Sequence, residues 1–134
     1  YLVDEKGQEH IVQFGIEEWW TGDMYSFITG QPSLYHIDAL EDCELLLIEK
    51  QQWEKMSVEV PKFERFFRIL LQNAFVSMQR RIAENMSLSA EERYTNFLQK
   101  HAHFEQRLPQ RQIASYLGIT PESLSRIGKQ MMEK

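Results

Sequence analysis

The side chains with most to offer chemically lie together near the end of the chain. They fall in Leu108-Pro109-Gln110-Arg111-Gln112-Ile113-Ala114-Ser115-Tyr116-Leu117-Gly118-Ile119-Thr120-Pro121-Glu122-Ser123-Leu124-Ser125-Arg126-Ile127. Arg126 is a two-pronged donor that fits guanine O6 and N7, and Glu122 can accept from cytosine N4. The hydroxyls of Thr120, Ser123 and Ser125, beside a helix N-terminus, suit phosphate oxygens. With Gln110, Arg111 and Pro121 they make up the set expected to meet DNA. A plainer reading of the same spacing is a helical hairpin packed on another surface. Glu122 and Arg126 would then be a solvated i, i+4 pair of little energetic weight.

Placing those groups takes two helices in a fixed crossing. Pro109 suits a first helical position, and Ile113, Ala114 and Leu117 line one face of the helix it would open. Gly118 stands where that helix must stop in a left-handed conformation that only Gly takes easily. Thr120 then caps the next helix, with Pro121 in its first turn. Leu124 and Ile127 give the second helix its inward face, and small Ala114 lets the two axes approach closely. The pattern predicts a helix-turn-helix whose second helix enters the DNA major groove. Gly128 lies inside that second helix, where Gly costs about 1 kcal/mol relative to Ala, and it has no functional account.

Upstream, Ser89-Ala90-Glu91-Glu92 reads as a helix restart, with Ser89 as cap and Glu92 three residues on. That helix carries Tyr94, Phe97 and Leu98 and should end near His101 to Phe104. Before it, Phe63, Phe67, Leu70, Leu71, Ala74, Phe75, Met78 and Ile82 recur at three- and four-residue spacings. No Pro or Gly interrupts Lys62 to Asn85, so one helix of about 24 residues and about 36 Å is expected. Phe66 and Ile69 widen the stripe beyond one packing surface. That width suggests two clients, a β-unit on one side and a second copy of the chain in a C₂ dimer on the other. A core helix covering the β-unit alone is the simpler alternative.

The first 60 residues read as β. Tyr1-Leu2-Val3 and Glu9-His10-Ile11-Val12-Gln13-Phe14 flank a polar turn containing Gly7, and further short strands are expected at His36–Leu40 and Glu44–Ile48. Gly22, Gly30 and Pro32 punctuate the stretch between. Strands this short need partners, so a barrel or roll is the natural architecture.

Composition narrows the function. The chain has 134 residues, 43% hydrophobic and 26% charged, which is ordinary for a soluble globular protein. The longest apolar run, Leu45 to Ile48, is far short of the roughly 20 residues a membrane helix needs, so no membrane contact is expected. The net charge of -5 hides an asymmetry. Residues 1–60 hold 13 acidic against 3 basic residues, whereas 61–87 balance at +3 and 88–134 at +2. The front would repel nucleic acid and the rear is compatible with phosphate. A single cysteine, Cys43, and no basic-then-apolar leader give a reduced, cytoplasmic setting as the expectation. The start at Tyr1 suggests a fragment.

Other candidates for chemistry are weak. His101 and His103, at i, i+2 on a helix, point to different sides, so no metal is expected. His36 and Asp38 have no Ser or Cys nucleophile beside them, and Cys43 has no basic neighbour in sequence. There is no Gly-rich phosphate loop and no pair of catalytic carboxylates. Neither an enzyme nor a cofactor is expected.

The order of β-roll, long helix and small helical unit resembles the Crp/Fnr family of bacterial transcription regulators over essentially all of the chain. The strongest piece is Gln112-Ile113-Ala114 through Leu117-Gly118-Ile119-Thr120-Pro121-Glu122-Ser123-Leu124-Ser125-Arg126-Ile127, similar position by position to the family's helix-turn-helix. The resemblance implies that Glu122 and Arg126 read base edges and that Thr120 and Ser123 touch the DNA backbone. A family Arg that contacts base or phosphate falls on Pro121, so one contact is lost. Gly22-Asp23 through Ala39 is similar, without gaps, to the phosphate-binding cassette of a cyclic-nucleotide roll. Its ribose-holding acid falls on Asp23, but its phosphate-pairing Arg and adjacent Ser fall on Ser33 and Leu34. Without that Arg a buried phosphate has no charge partner, so cyclic AMP is not the expected effector. Gly22, Asp23, Ser33 and Leu34 mark the pocket of an unidentified small molecule. Leu34, Tyr35, Trp19 and Trp20 line it for something less charged or simply fill the roll. Haem and iron–sulfur sensing need thiolate sets that one cysteine cannot supply. The resemblance also puts the long helix at a dimer interface, adds RNA polymerase to DNA among the partners, and places a wing hairpin after Lys134.

The expected class is therefore α+β, with three parts. These are an incomplete, jelly-roll-like sensing β-roll at 1–60, a dimerisation helix at 61–87 and a DNA-binding helix-turn-helix at 88–134. N-terminal strands and the wing are expected to be missing. The expected function is a homodimeric, sequence-specific transcription regulator. The alternative is a ligand-sensing or scaffold module that acts through protein contacts without reading DNA.

Overall fold

A computed structural model describes residues 1–102 and 104–132. His103, one of the two histidines weighed as metal ligands, lies outside the described residues, as do the last two residues of the 88–134 unit. The described chain is mostly helical with one small sheet.

Strands β1 (Leu2–Val3) and β2 (Glu9–His10) pair antiparallel, with Leu2 opposite His10 and Val3 opposite Glu9. The turn closes as its polar residues dictate. Asp4 Oδ1 accepts from the backbone N–H groups of Lys6 and Gln8, both at 2.9 Å, and Gly7 takes a left-handed φ of 75°.

The rest of the front departs from the β expectation. No strand forms at 36–40 or 44–48; the backbone pairing in that stretch is between Tyr1 and His36, which exchange two hydrogen bonds of 2.9 Å. A strand is held by its neighbours' hydrogen bonds, and among the described residues no neighbour runs beside Glu44–Ile48, where Leu46 is fully exposed. Two helices form in the front, where strands and loops alone were expected: α1 (Met24–Thr29) and α2 (Lys50–Glu59). Asp23 caps α1 by accepting from Tyr25 and Ser26, and Gly30 ends it in the left-handed region. The ten residues of α2 contain no Gly or Pro, and Glu49 and Gln52 form a reciprocal cap at its start.

Val60 interrupts the chain and Pro61 opens α3 (Pro61–Ser87), whose 27 residues exceed the expected span slightly at both ends. Helix α2 folds back on it, and aromatic rings gather around buried Phe67. Trp20, Phe63 and Trp53 have ring centroids 4.6, 4.7 and 6.0 Å away from it. Leu88 and Ser89 then leave the helix. Ser89 Oγ accepts from the Glu92 N–H at 3.2 Å while the Glu92 carboxylate accepts from the Ser89 N–H at 2.8 Å, the reciprocal cap read from the sequence.

Four helices follow: α4 (Ala90–His101), α5 (Phe104–Arg107), α6 (Gln110–Leu117) and α7 (Pro121–Met132). Their apolar faces meet in one core of Tyr94, Phe97, Phe104, Ile113, Ala114, Leu117, Leu124 and Ile127. Phe14 joins that core from the far end of the chain. Expected to continue a strand as far as Phe14, the chain instead runs across the helical unit as a strap over residues 11–16. Ile11 N–H donates to Ser115 Oγ and Ser115 Oγ donates to the Glu9 carbonyl, both at 3.0 Å. Arg81 donates to the Val12 carbonyl, and the Phe14 ring lies 5.3 Å from Tyr116 and 5.8 Å from Phe104.

Candidate nucleic-acid interface

The turn between α6 and α7 forms for the reasons its residues suggest. Pro109 is the N-cap of α6 rather than its first helical residue, one position from the expectation, because its ψ of 135° is extended. Gly118 adopts φ 66°, ψ 35°, and the following Ile119 N–H reaches back to the Ala114 carbonyl at 3.0 Å. Together with the Gly118 N–H bond to Ser115, this closes a Schellman stop. Thr120 Oγ1 accepts from the Ser123 N–H at 3.2 Å and donates to Ser123 Oγ at 3.1 Å, which caps α7.

Helix α7 therefore turns two faces in opposite directions. Leu124 and Ile127 are buried, while Pro121, Glu122, Ser125, Arg126, Lys129 and Gln130 border one shallow depression on the outside. Glu122 and Arg126 are exposed and, among the described residues, form no ion pair with each other, unlike Glu64–Arg68 and Arg80–Glu84 on α3. Gln110 and Arg111 are exposed on the first turn of α6. Lys129 and Gln130 were not singled out from the sequence. Their spacing of three and four residues beyond Arg126 was the available signal.

A second charged feature was not legible. Arg107, the last residue of α5, is gripped by Glu41 and Glu17 at 2.7 and 3.0 Å. The Arg107 guanidinium holds the Glu41 carboxyl below the usual carboxylate range, and the two carboxylates raise the guanidinium's own pKa further. Within the core, burial and then the bond it donates to Glu105 at 3.0 Å push the Tyr94 hydroxyl up to about 12.

Of the candidate effector residues, the structure brings Asp23 and Ser33 together. Ser33 Oγ donates to Asp23 Oδ2 at 2.8 Å and accepts from the Tyr35 N–H at 3.0 Å. Gly22 and Leu34 are exposed. Along α3 the candidate dimer stripe is graded. Phe67 is buried, Phe63, Leu70 and Leu71 are half-buried, and Ala74, Phe75, Met78 and Ile82 are exposed. Phe75, Met78 and Ile82 each show more than half of their surface, beside an apolar groove of about 440 Å³ whose walls include Trp53, Phe67 and Leu71. Among the described residues, no three His, Cys, Asp or Glu side chains gather to hold a metal, and no helix is long and apolar enough to cross a membrane.

No family model and no solved structure matches the chain. It is similar to the transcriptional regulatory protein btr of Bordetella pertussis, 26% identical over 140 residues, covering 94% of this chain and 56% of that protein. It is also similar to the fumarate and nitrate reduction regulatory protein of Vibrio cholerae, 29% identical over 140 residues, covering 95% of this chain and 54% of that protein. Both are regulators by name. The chain spans about half the length of the curated relatives it matches.

Proposed function

We propose that the chain is the DNA-reading portion of a transcription regulator of the Crp/Fnr type, acting on duplex DNA as a homodimer. The observation that carries this is the division of α7: Leu124 and Ile127 hold it down while Glu122, Ser125 and Arg126 face outward, beyond a glycine-stopped, threonine-capped turn. That is the presentation a recognition helix needs. The names of both relatives support a regulator. The exposed apolar stripe Phe75, Met78 and Ile82 supports α3 as the seam between two copies, which would set the spacing of the half-sites. A cyclic nucleotide is not the effector in this reading, because the hydroxyl of Ser33 is spent on Asp23 where a cation would be needed for phosphate.

Selection of bound duplexes from a random pool, followed by Arg126→Ala, tests the proposal. The variant should bind the selected site about 1–3 kcal/mol more weakly and lose its preference at one base pair per half-site. Equal affinity of parent and variant would refute the assignment. The rival, a module acting through protein contacts alone, is favoured by Pro121 in place of a cation and by the acidic front. It predicts no loss of duplex affinity with rising salt, whereas phosphate contacts make that loss steep.

A further inference from the structure

Arg107 stands three residues before Gln110, at the entrance to α6, and in a helix-turn-helix the first helix is the one that crosses the DNA backbone. Its guanidinium is fully engaged from within the chain. Nε donates to Glu41 Oε1 at 3.0 Å and Nη2 to Glu41 Oε2 at 2.7 Å, while Nη1 donates to Glu17 Oε2 at 3.1 Å and Nη2 to Glu17 Oε1 at 3.0 Å. Two bidentate carboxylates on one guanidinium reproduce the fork-on-fork geometry with which Arg takes a phosphate.

Both acids come from the acidic front, 90 and 66 residues away in sequence. They also sit at the two ends of the segment that contains Gly22, Asp23, Ser33 and Leu34. Arg107 thus pins both ends of the stretch that carries the candidate effector residues. The pins are open to water, with 73% of the Glu17 side chain and 47% of that of Glu41 exposed. Ion pairs in that setting are weak and screened by salt, so a phosphate can compete for the guanidinium.

We propose that Glu17 and Glu41 are built-in phosphate mimics, an autoinhibitory clamp that withholds Arg107 from the DNA backbone until the 17–41 segment is drawn away. The proposal rests on the DNA reading above and adds to it a backbone contact and the means of its control.

The test compares four forms of the 134-residue chain: parent, E17Q/E41Q, E17Q/E41Q/R107Q and the charge-matched E5Q/E44Q. Each is titrated with the pool-selected duplex and with a mixed-sequence duplex over a range of salt. E17Q/E41Q should bind both duplexes about fivefold to tenfold tighter at low salt, and its plot of log affinity against log salt should steepen by about one unit per protomer. Adding R107Q should abolish gain and slope together. E5Q/E44Q removes the same charge from exposed positions with no bond to Arg107, and should reproduce neither effect.

An unchanged affinity and slope in E17Q/E41Q would overturn the clamp. So would a gain that survives R107Q, or one matched by E5Q/E44Q, since either would make it bulk charge. The comparison with E5Q/E44Q decides the matter even if the triple variant does not fold. Absence of binding by every form, parent included, would instead remove the DNA reading and the clamp with it.

Discussion

The unit from Ala90 to Met132 and the stretch from Glu17 to Glu49 use apolar residues freely, yet only the first makes a core. In the rear unit apolar side chains recur every three or four residues, so each short helix presents a stripe that another helix covers. Ile113 and Ala114 reach zero exposure. In the front stretch Leu34, Ile37, Leu40, Leu45, Leu46 and Leu47 stay exposed, because among the described residues no ladder forms there and no helix covers these side chains. Apolar content does not make an interior; partners in register do. The contrast suits two jobs. In the proposed function a DNA reader must hold a few polar groups in fixed relation, whereas a segment with few buried contacts opens at low free-energy cost.

The comparison can be broken most directly at its extremes. Leu124→Ala should destabilise the fold by about 2–5 kcal/mol, whereas Leu46→Ala should stay within about 0.5 kcal/mol, as measured by chemical denaturation followed by circular dichroism. Phe14→Ala sharpens the boundary, since this residue is front by sequence and rear by burial. A loss of about 3 kcal/mol is expected, because Phe14 belongs to the core of the Ala90–Met132 unit. Next in size is Gly118→Ala. A Cβ would meet nothing within 4 Å, so its cost is conformational alone, about 1–2 kcal/mol. Ser89→Ala, which removes one half of a reciprocal cap, should cost about 1 kcal/mol in the same assay.

One further effect is confined to high pH. The Tyr94 hydroxyl is raised in the folded state to about 12, so its contribution is complete below the ordinary tyrosine range near 10 and is lost as pH rises toward 12. Tyr94→Phe should flatten that alkaline limb of the stability profile without altering the acid side.

Most of the Ala90–Met132 unit was legible because its signals are local. Gly118, the Thr120-Pro121 pair and the Ser89–Glu92 spacing each fix a boundary within a few residues, and the structure puts the boundaries there to within one position. The long helix was equally open to inspection, since no breaker interrupts it. Helix α2 was hidden by Val58 and Val60, which favour strands, although Glu49 and Gln52 offered a capping signal. The strap and the grip on Arg107 could not be read at all. Ile11, Val12 and Phe14 look the same whether they enter a sheet or lie on a helical unit, and the contacts they make span 69 to 104 residues. Spacing along a chain carries no record of such distant meetings.

The elbow at Leu88 and Ser89 has a mechanical consequence. Two non-helical residues join the long rod to the helical unit that follows, braced by Lys100 against Glu84 at 3.0 Å and by Arg93 on the Leu88 carbonyl at 2.9 Å. Helix α4 is a lever arm of about 18 Å, so a swing of about 20° at that joint would carry its far end through about 6 Å. In the proposed dimer on duplex DNA, whose helical pitch is about 34 Å, a pair of such arms tilted in opposite senses would fall out of step with successive grooves. In that reading the torsions of two residues would govern whether both ends of a duplex site can be gripped at once.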